Sequence, residues 1–225
     1  MPTQTQTDIH VTALMDGEKI VVPQFWLGKD VEYRQDRKSN SLSAVEYNSQ
    51  MTLPTLAELR HAFFGGSDDY KQSVLSKRGY GEWTSTFLRD GREAIENPAN
   101  VVYRNGVWVL EGGKVTPVEL PPDGWTLEYD KPTGFPSRTS QKRKDAKKIF
   151  GDDTSYFYRT TSGVRAVLRS FLLDDGGPFF VDAVCEPGGG GSDIGRRACS
   201  RSEQAAPQLA TPLESGAEPT ISMSM

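Results

Sequence analysis

Apolar and polar residues alternate with a period of two along much of this chain and recur at helical spacing in a few short stretches. Ile9-His10-Val11-Thr12-Ala13-Leu14-Met15 alternates and reads as a strand. Asp16-Gly17 follows as a turn pair, and Lys19-Ile20-Val21-Val22-Pro23 as a second strand, so an opening hairpin is predicted. The clearest hairpin signal lies further on. Val101-Val102-Tyr103 and Val107-Trp108-Val109-Leu110 flank Asn105-Gly106, a pair suited to a primed turn. Gly112-Gly113 turns the chain into residues 115–120, which makes a small meander with an exposed tip, and Pro121-Pro122-Asp123-Gly124 ends it. Residues 81–88, 125–129, 155–159, 163–173 and 179–184 read as further strands. In 163–173, Val164, Ala166 and Leu168 share one face, and Arg165, Val167 and Arg169 the other.

Helical signals are fewer. Ser43-Ala44-Val45-Glu46 and Thr55-Leu56-Ala57-Glu58 both fit a capping box, in which the hydroxyl accepts from a first-turn amide and the glutamate reaches back. Leu56, Leu59 and Phe63 recur at helical spacing after the second box, and Gly65-Gly66 stops the run. Residues 70–75 predict another helical turn. Residues 142–150 predict a basic helix with Ala146, Ile149 and Phe150 inward. Residues 1–8 read as a flexible leader, 9–199 as a single domain with a glycine-rich loop at 187–193, and 200–225 as a disordered tail. Gly195-Arg196-Arg197-Ala198 echoes Gly163-Val164-Arg165-Ala166 and is a candidate final strand.

Composition narrows the function. The chain of 225 residues is 36% hydrophobic, with 4 Trp, 8 Tyr and 10 Phe, so its core is expected to be aromatic. A net charge of −4 argues against general nucleic-acid binding. No apolar run reaches a membrane-spanning length, and the polar start lacks a signal peptide's basic and apolar regions, so a cytoplasmic location is expected. Cys185 and Cys199 read as unpaired thiols, and His10 and His61 are too far apart in sequence to suggest a metal set, so no cofactor is expected.

The remaining motifs have ordinary explanations. Gly188-Gly189-Gly190-Gly191 lacks the Lys-Ser/Thr of a phosphate loop. The basic cluster around Lys142, Arg143, Lys144, Lys147 and Lys148 fits a solvated helix face. The pairs Asp68-Asp69, Asp152-Asp153 and Asp174-Asp175 fit turns, and Gly-x-Ser-x-Gly is absent. His61 fits a helix surface or a satisfied contact, and Arg165 and Arg169 fit an exposed or edge strand face. Trp83, Trp108, Trp125 and Tyr156 fit core or rim aromatics, some of which could form a ligand platform.

Three segments carry a resemblance. Leu53-Pro54-Thr55 with Glu58-Leu59 starts a helix, Trp83-Thr84-Ser85-Thr86 forms a strand, and Gly163-Val164-Arg165-Ala166-Val167-Leu168-Arg169 comes last. Over residues 42–169 this series resembles the C-type-lectin-like fold of prokaryotic sulfatase-modifying-factor (formylglycine-generating enzyme)-like proteins. The resemblance implies a compact α+β scaffold with a twisted antiparallel sheet, two main helices and long loops that carry function, without fixing the activity. The catalytic branch resembles a copper oxidase with two nearby late cysteines. Here Cys185 and Cys199 are separated by a glycine linker and follow the Arg165 strand, so a non-catalytic member is expected. A second branch, the variable proteins of diversity-generating retroelements, displays surface residues from its C-terminal half; Tyr156, Phe157, Tyr158 and Arg159 and the meander tip occupy corresponding places.

The function expected is a ligand- or protein-binding module with no catalytic residue. The binding candidates are Trp83, Asn105, Trp108, Tyr156, Tyr158, Arg159 and Arg165. The partners expected are a protein or a small ligand, with no membrane and no nucleic acid; a homo-oligomer is an open alternative. A sulfatase-modifying-type copper oxidase using Cys185 and Cys199, and a structural component of a virus-like particle or appendage, are the alternative functions.

Overall fold

A computed structural model describes residues 8–32, 53–76, 81–140, 155–170, 179–189 and 194–201. The Ser43 capping box, the basic helix at 142–150, the later two acidic pairs, the end of the 163–173 strand, Gly190-Gly191, residues 1–7 of the leader and all but the start of the tail lie outside these residues. The fold is α+β. Its strands are β1 (Ile9–Val11), β2 (Leu14–Asp16), β3 (Lys19–Val22), β4 (Phe25–Leu27), β5 (Gly81–Arg89), β6 (Glu93–Glu96), β7 (Asn100–Arg104), β8 (Val107–Glu111), β9 (Lys114–Pro117), β10 (Gly124–Thr126), β11 (Ser155–Arg159), β12 (Val164–Ser170), β13 (Phe179–Ala183), β14 (Ile194–Gly195) and β15 (Cys199–Arg201). Two helices, α1 (Leu56–His61) and α2 (Asp68–Ser76), are joined by a π-turn at Ala62–Gly66. Asp68 and Asp69 belong to the first turn of α2, where carboxylates oppose the positive end of the helix dipole.

The main sheet runs β10-β11-β13-β12-β5-β6-β9, with β14 paired in parallel to the start of β5. The β11–β13 pair is parallel, while β12 is antiparallel to both its neighbours. A second sheet, β1-β4-β15, places an early and a late strand on either side of β4.

Residues of β5 and β12 are buried on both faces. Leu88 and Val167 enter a core shared with α1, α2, β1 and β4. Trp83, Phe87, Val164, Ala166 and Leu168 enter a second core, covered by Leu53 and by Trp108 and Leu110 of the β7–β8 hairpin. The predicted division of faces along β12 holds, since Val164, Ala166 and Leu168 pack together and Val167 packs opposite.

The Trp83-Thr84-Ser85-Thr86 segment does more than form a strand. Ala166 pairs with Phe87 and Leu168 with Trp83, so Thr84, Ser85 and Thr86 stand opposite Val167 alone. This bulge offers polar groups to the incoming helix. The Leu56 amide donates to Thr86 Oγ1 (3.0 Å), the Ser85 amide to the Pro54 carbonyl (3.0 Å) and Ser85 Oγ to the Leu53 carbonyl (3.3 Å). The capping box is complete: the Glu58 amide donates to Thr55 Oγ1 (3.2 Å) and the Thr55 amide to Glu58 Oε2 (2.7 Å). The helix start, the tryptophan strand and the arginine strand are therefore direct neighbours.

Several expectations need correcting. The 9–15 strand breaks at Thr12, whose amide donates to the Gly66 carbonyl (3.2 Å) and whose carbonyl meets His61 Nε2 (2.8 Å). Only residues from Leu14 onward form the hairpin with β3, and β1 pairs with β4 instead. The 125–129 strand stops at Thr126, where Oγ1 accepts from the Glu128 amide (3.0 Å) and turns the chain. Arg169 is not on an exposed edge, because it lies 3% exposed on a strand bonded on both sides.

Candidate functional site

The β7–β8 hairpin is the element that opens a cleft. Asn105 and Gly106 have φ of 52° and 82°, the left-handed pair a primed two-residue turn demands. The hairpin pairs fully from Asn100–Glu111 to Arg104–Val107. Its inner residues, Val101, Trp108 and Leu110, cover the second core, and Tyr103 and Val107 are left exposed. Where its tip meets the ends of β5 and β12, a cleft of about 290 Å³ is lined by Arg89, Asp90, Tyr103, Gly106, Val107, Trp108, Gly163, Val164, Arg165 and Glu186.

Local backbone geometry sets the cleft floor. Asp90 and Gly163 both adopt positive φ (51° and 70°) and are tied together: the Asp90 amide donates to the Gly163 carbonyl (2.9 Å) and the Gly163 amide to Asp90 Oδ1 (2.8 Å). Arg165 rises beside this pair. Its Nε donates to the Ser162 carbonyl (3.0 Å), and its Nη1 to the Val184 carbonyl (3.4 Å) and Glu186 Oε1 (3.4 Å). The arginine side chain is 17% exposed and the glutamate 64%. The same cleft is lined by Trp108 and Tyr103, with ring centroids 5.0 Å apart and planes tilted by 57°. The Gly188 backbone lies against the indole, since a Cβ there would come within 3.1 Å of Trp108 Cζ2. Arg89 Nε is held by Glu93 (2.6 Å). The cleft thus joins two fixed guanidinium groups to a pair of aromatic rings.

Of the sequence candidates, Trp108 and Arg165 line this cleft, and Asn105 forms the turn at its rim. Arg159 sits one loop away, clamping the Leu120 and Pro121 carbonyls (3.4 and 3.2 Å), and a Cβ on Gly91 would lie 3.2 Å from its Nη1. Tyr156 stacks on Phe180 (5.6 Å, 16°) and meets Trp125 edge-on, as a sheet aromatic at the other end of the β-order. Tyr158 is exposed on the same strand. Trp83 has no exposed surface and packs in the second core, so its ring offers nothing to a ligand in this conformation. Sequence reading missed Tyr103, Arg89, Asp90 and Glu186. Only Tyr103, beside the Asn105-Gly106 turn, carried a signal that could have drawn attention to it.

The most polar buried cluster lies elsewhere. Glu82, 2% exposed, receives Arg169 Nη2 (2.8 Å) and Arg197 Nη2 (2.9 Å) on Oε1, with Arg197 Nε (3.2 Å) and the Tyr70 hydroxyl (3.3 Å) on Oε2. Burial alone would raise the Glu82 carboxyl, but the two guanidinium groups reverse that and hold it at about 2. The same burial and the Glu82 charge push Tyr70 up. Arg197 also donates to the Gly28 and Lys29 carbonyls (2.7 and 3.0 Å). Nearby, Arg201 grips Glu58 with two bonds of 2.6 Å and tethers β15 to α1. Arg60, fully buried, is held by the Gly134 carbonyl and Ser155 Oγ under the Tyr129 ring (4.4 Å), and burial lowers its pKa to about 9.

The two cysteines are free and serve different cores. Cys199 packs in the first, and Cys185 against the second. Burial pushes both thiols up. Among the described residues, no three His, Cys, Asp or Glu side chains converge as a metal set, and no helix is long and apolar enough to cross a membrane. His61 is a satisfied contact to Thr12. Compared with known protein families, with curated proteins and with solved structures, the chain gives no match.

Proposed function

We propose that this protein is a non-catalytic binding module on a C-type-lectin-like scaffold, and that the cleft beneath the β7–β8 tip takes its ligand. The scaffold reading is supported by adjacency: the Leu53-Pro54-Thr55 helix start hydrogen-bonds to the Trp83-Thr84-Ser85-Thr86 strand, which pairs with the Val164–Ser170 strand. The single observation that carries the binding reading is the meeting of Trp108 and Tyr103 with Arg165 in one concave site at a sheet end. Tryptophan, tyrosine and arginine dominate recognition energetics because they combine large contact area with few torsions to freeze. The cleft is near the small end of the range for small-molecule sites, so one ring-sized group fills it.

A fragment screen followed by protein NMR tests this. Hits should move the signals of Tyr103, Trp108, Gly163 and Arg165, and Trp108→Ala should abolish them while the fold is retained. Hits scattered over the surface, or turnover of a hit compound, would overturn the reading.

A further inference from the structure

We infer that this cleft, taken as the binding site proposed above, takes a quaternary ammonium group. The inference rests on which of its charges are already paired. Arg165 is committed: Nε donates to the Ser162 carbonyl, and Nη1 to the Val184 carbonyl and Glu186 Oε1. Arg89 holds Glu93, its partner across the β5–β6 pair, at 2.6 Å. Each guanidinium that lines the cleft therefore has its own carboxylate. Asp90 is the exception. Its Oδ1 accepts from the Gly163 amide, and among the described residues no cation pairs with it. One exposed negative charge is left over in the cleft.

The walls suit that charge. The 57° tilt between Trp108 and Tyr103 sets the two rings as a corner rather than a stack, and Tyr103 is 60% exposed. The negative faces of aromatic rings attract a cation, and the attraction grows as water is excluded. The acceptors then decide which cation. A primary ammonium brings three N–H donors. Here Glu186 is engaged by Arg165, Asp90 Oδ1 by the Gly163 amide, and the Gly163 carbonyl by the Asp90 amide. Little is left to replace the water that a primary ammonium would lose. A quaternary ammonium has no N–H to satisfy and asks only for ring faces and a counter-charge. Arg89 and Arg165 do not cancel this preference, because Glu93 and Glu186 neutralise them at 2.6 and 3.4 Å.

The test uses the full chain and follows the Trp108 indole N–H signal, assigned with Trp108→Phe. Choline is compared with 3,3-dimethylbutan-1-ol, which has the same shape and no charge, with the anion 3,3-dimethylbutanoate, and with ethanolamine, which keeps the charge and lacks the methyl groups. Choline should bind roughly five- to tenfold more tightly than the neutral alcohol, as expected for a cation against two rings. The anion and ethanolamine should both be weaker than choline. Asp90→Asn keeps an acceptor for the Gly163 amide and removes the charge, so it should weaken choline several-fold and leave the alcohol unchanged. Tyr103→Leu keeps apolar bulk on an exposed site and removes one ring face, with the same expected pattern. Equal binding of choline and the alcohol, tighter binding of the anion or of ethanolamine, or no loss in Asp90→Asn would each overturn the inference. Nα-acetyl-trimethyllysine methylamide locates the source: tighter binding than choline supports a methylated lysine on a protein, and equal or weaker binding supports a free quaternary amine. If fragments of other chemistry bind at Trp108 and choline does not, the inference falls while the binding module stands. If no fragment reaches Trp108, both fall.

Discussion

Arg165 and Arg169 leave the same strand four positions apart, in two different settings. Arg169 sits in the middle of the sheet, 3% exposed, against a carboxylate that two arginines share. Arg165 sits at the strand end, bonded to two backbone carbonyls and to the exposed Glu186 carboxylate. The difference is desolvation. In the interior a guanidinium without a counter-charge costs several kcal/mol, so Glu82 is a structural necessity there. At the strand end two backbone carbonyls and an exposed carboxylate satisfy the same side chain, and water reaches the pair. A strand pattern that repeats arginine says nothing about which setting each one meets; the neighbouring strands decide it.

This contrast can be broken most directly at Glu82. Glu82→Gln leaves Arg169 and Arg197 buried without their shared charge and should cost about 3–5 kcal/mol in urea unfolding; a loss under about 1 kcal/mol would mean that water reaches the cluster. The same residue sets an acid limb. Its folded pKa, about 2, lies below the ordinary carboxylate value of 4.5, so its contribution is fully present above pH 4.5 and fades as the pH falls toward 2. Glu82→Gln should remove that part of the pH dependence, which unfolding curves between pH 2 and 5 would reveal.

Arg201, with its side chain 32% exposed, is paired to an 8% exposed Glu58 by two short bonds. Arg201→Ala should therefore cost less, about 1–3 kcal/mol, the range for hydrogen bonds to a buried charge. Thr55→Ala removes the hydroxyl half of the capping box while Glu58 keeps its arginine, and about 1 kcal/mol is expected from thermal unfolding. At the rim, Arg165→Ala should change stability in the same urea experiment by less than about 1 kcal/mol. A stability loss matching that of Glu82→Gln would erase the distinction between the two arginines.

Local signals in the sequence were read well because their physics is local. Thr55 and Glu58 are three residues apart and close the cap between themselves. Asn105 and Gly106 need only their own backbone freedom to turn the hairpin. What was not legible depends on partners far along the chain. Glu82 and Arg197 are 115 positions apart, and nothing near either residue announces the other. Thr12 breaks an otherwise regular alternation because a glycine carbonyl 54 positions away takes its amide. Of the cleft, the sequence offered Trp108, Asn105 and Arg165 as separate candidates. It could not unite them, because the fold of the hairpin over β5 and β12 brings Trp108 to Arg165. Trp83 looked equivalent to Trp108, and only the double-sided burial of β5 separates them.

Cys199 of β15 and Ile9 of β1 both sit opposite Leu27, one on each flank of β4. The residues that finish this small sheet follow the helices and the central strands in the chain. A chain stopped before segment 194–201 presents an open strand edge at β4, a Glu58 without Arg201 and a Glu82 left with Arg169 alone.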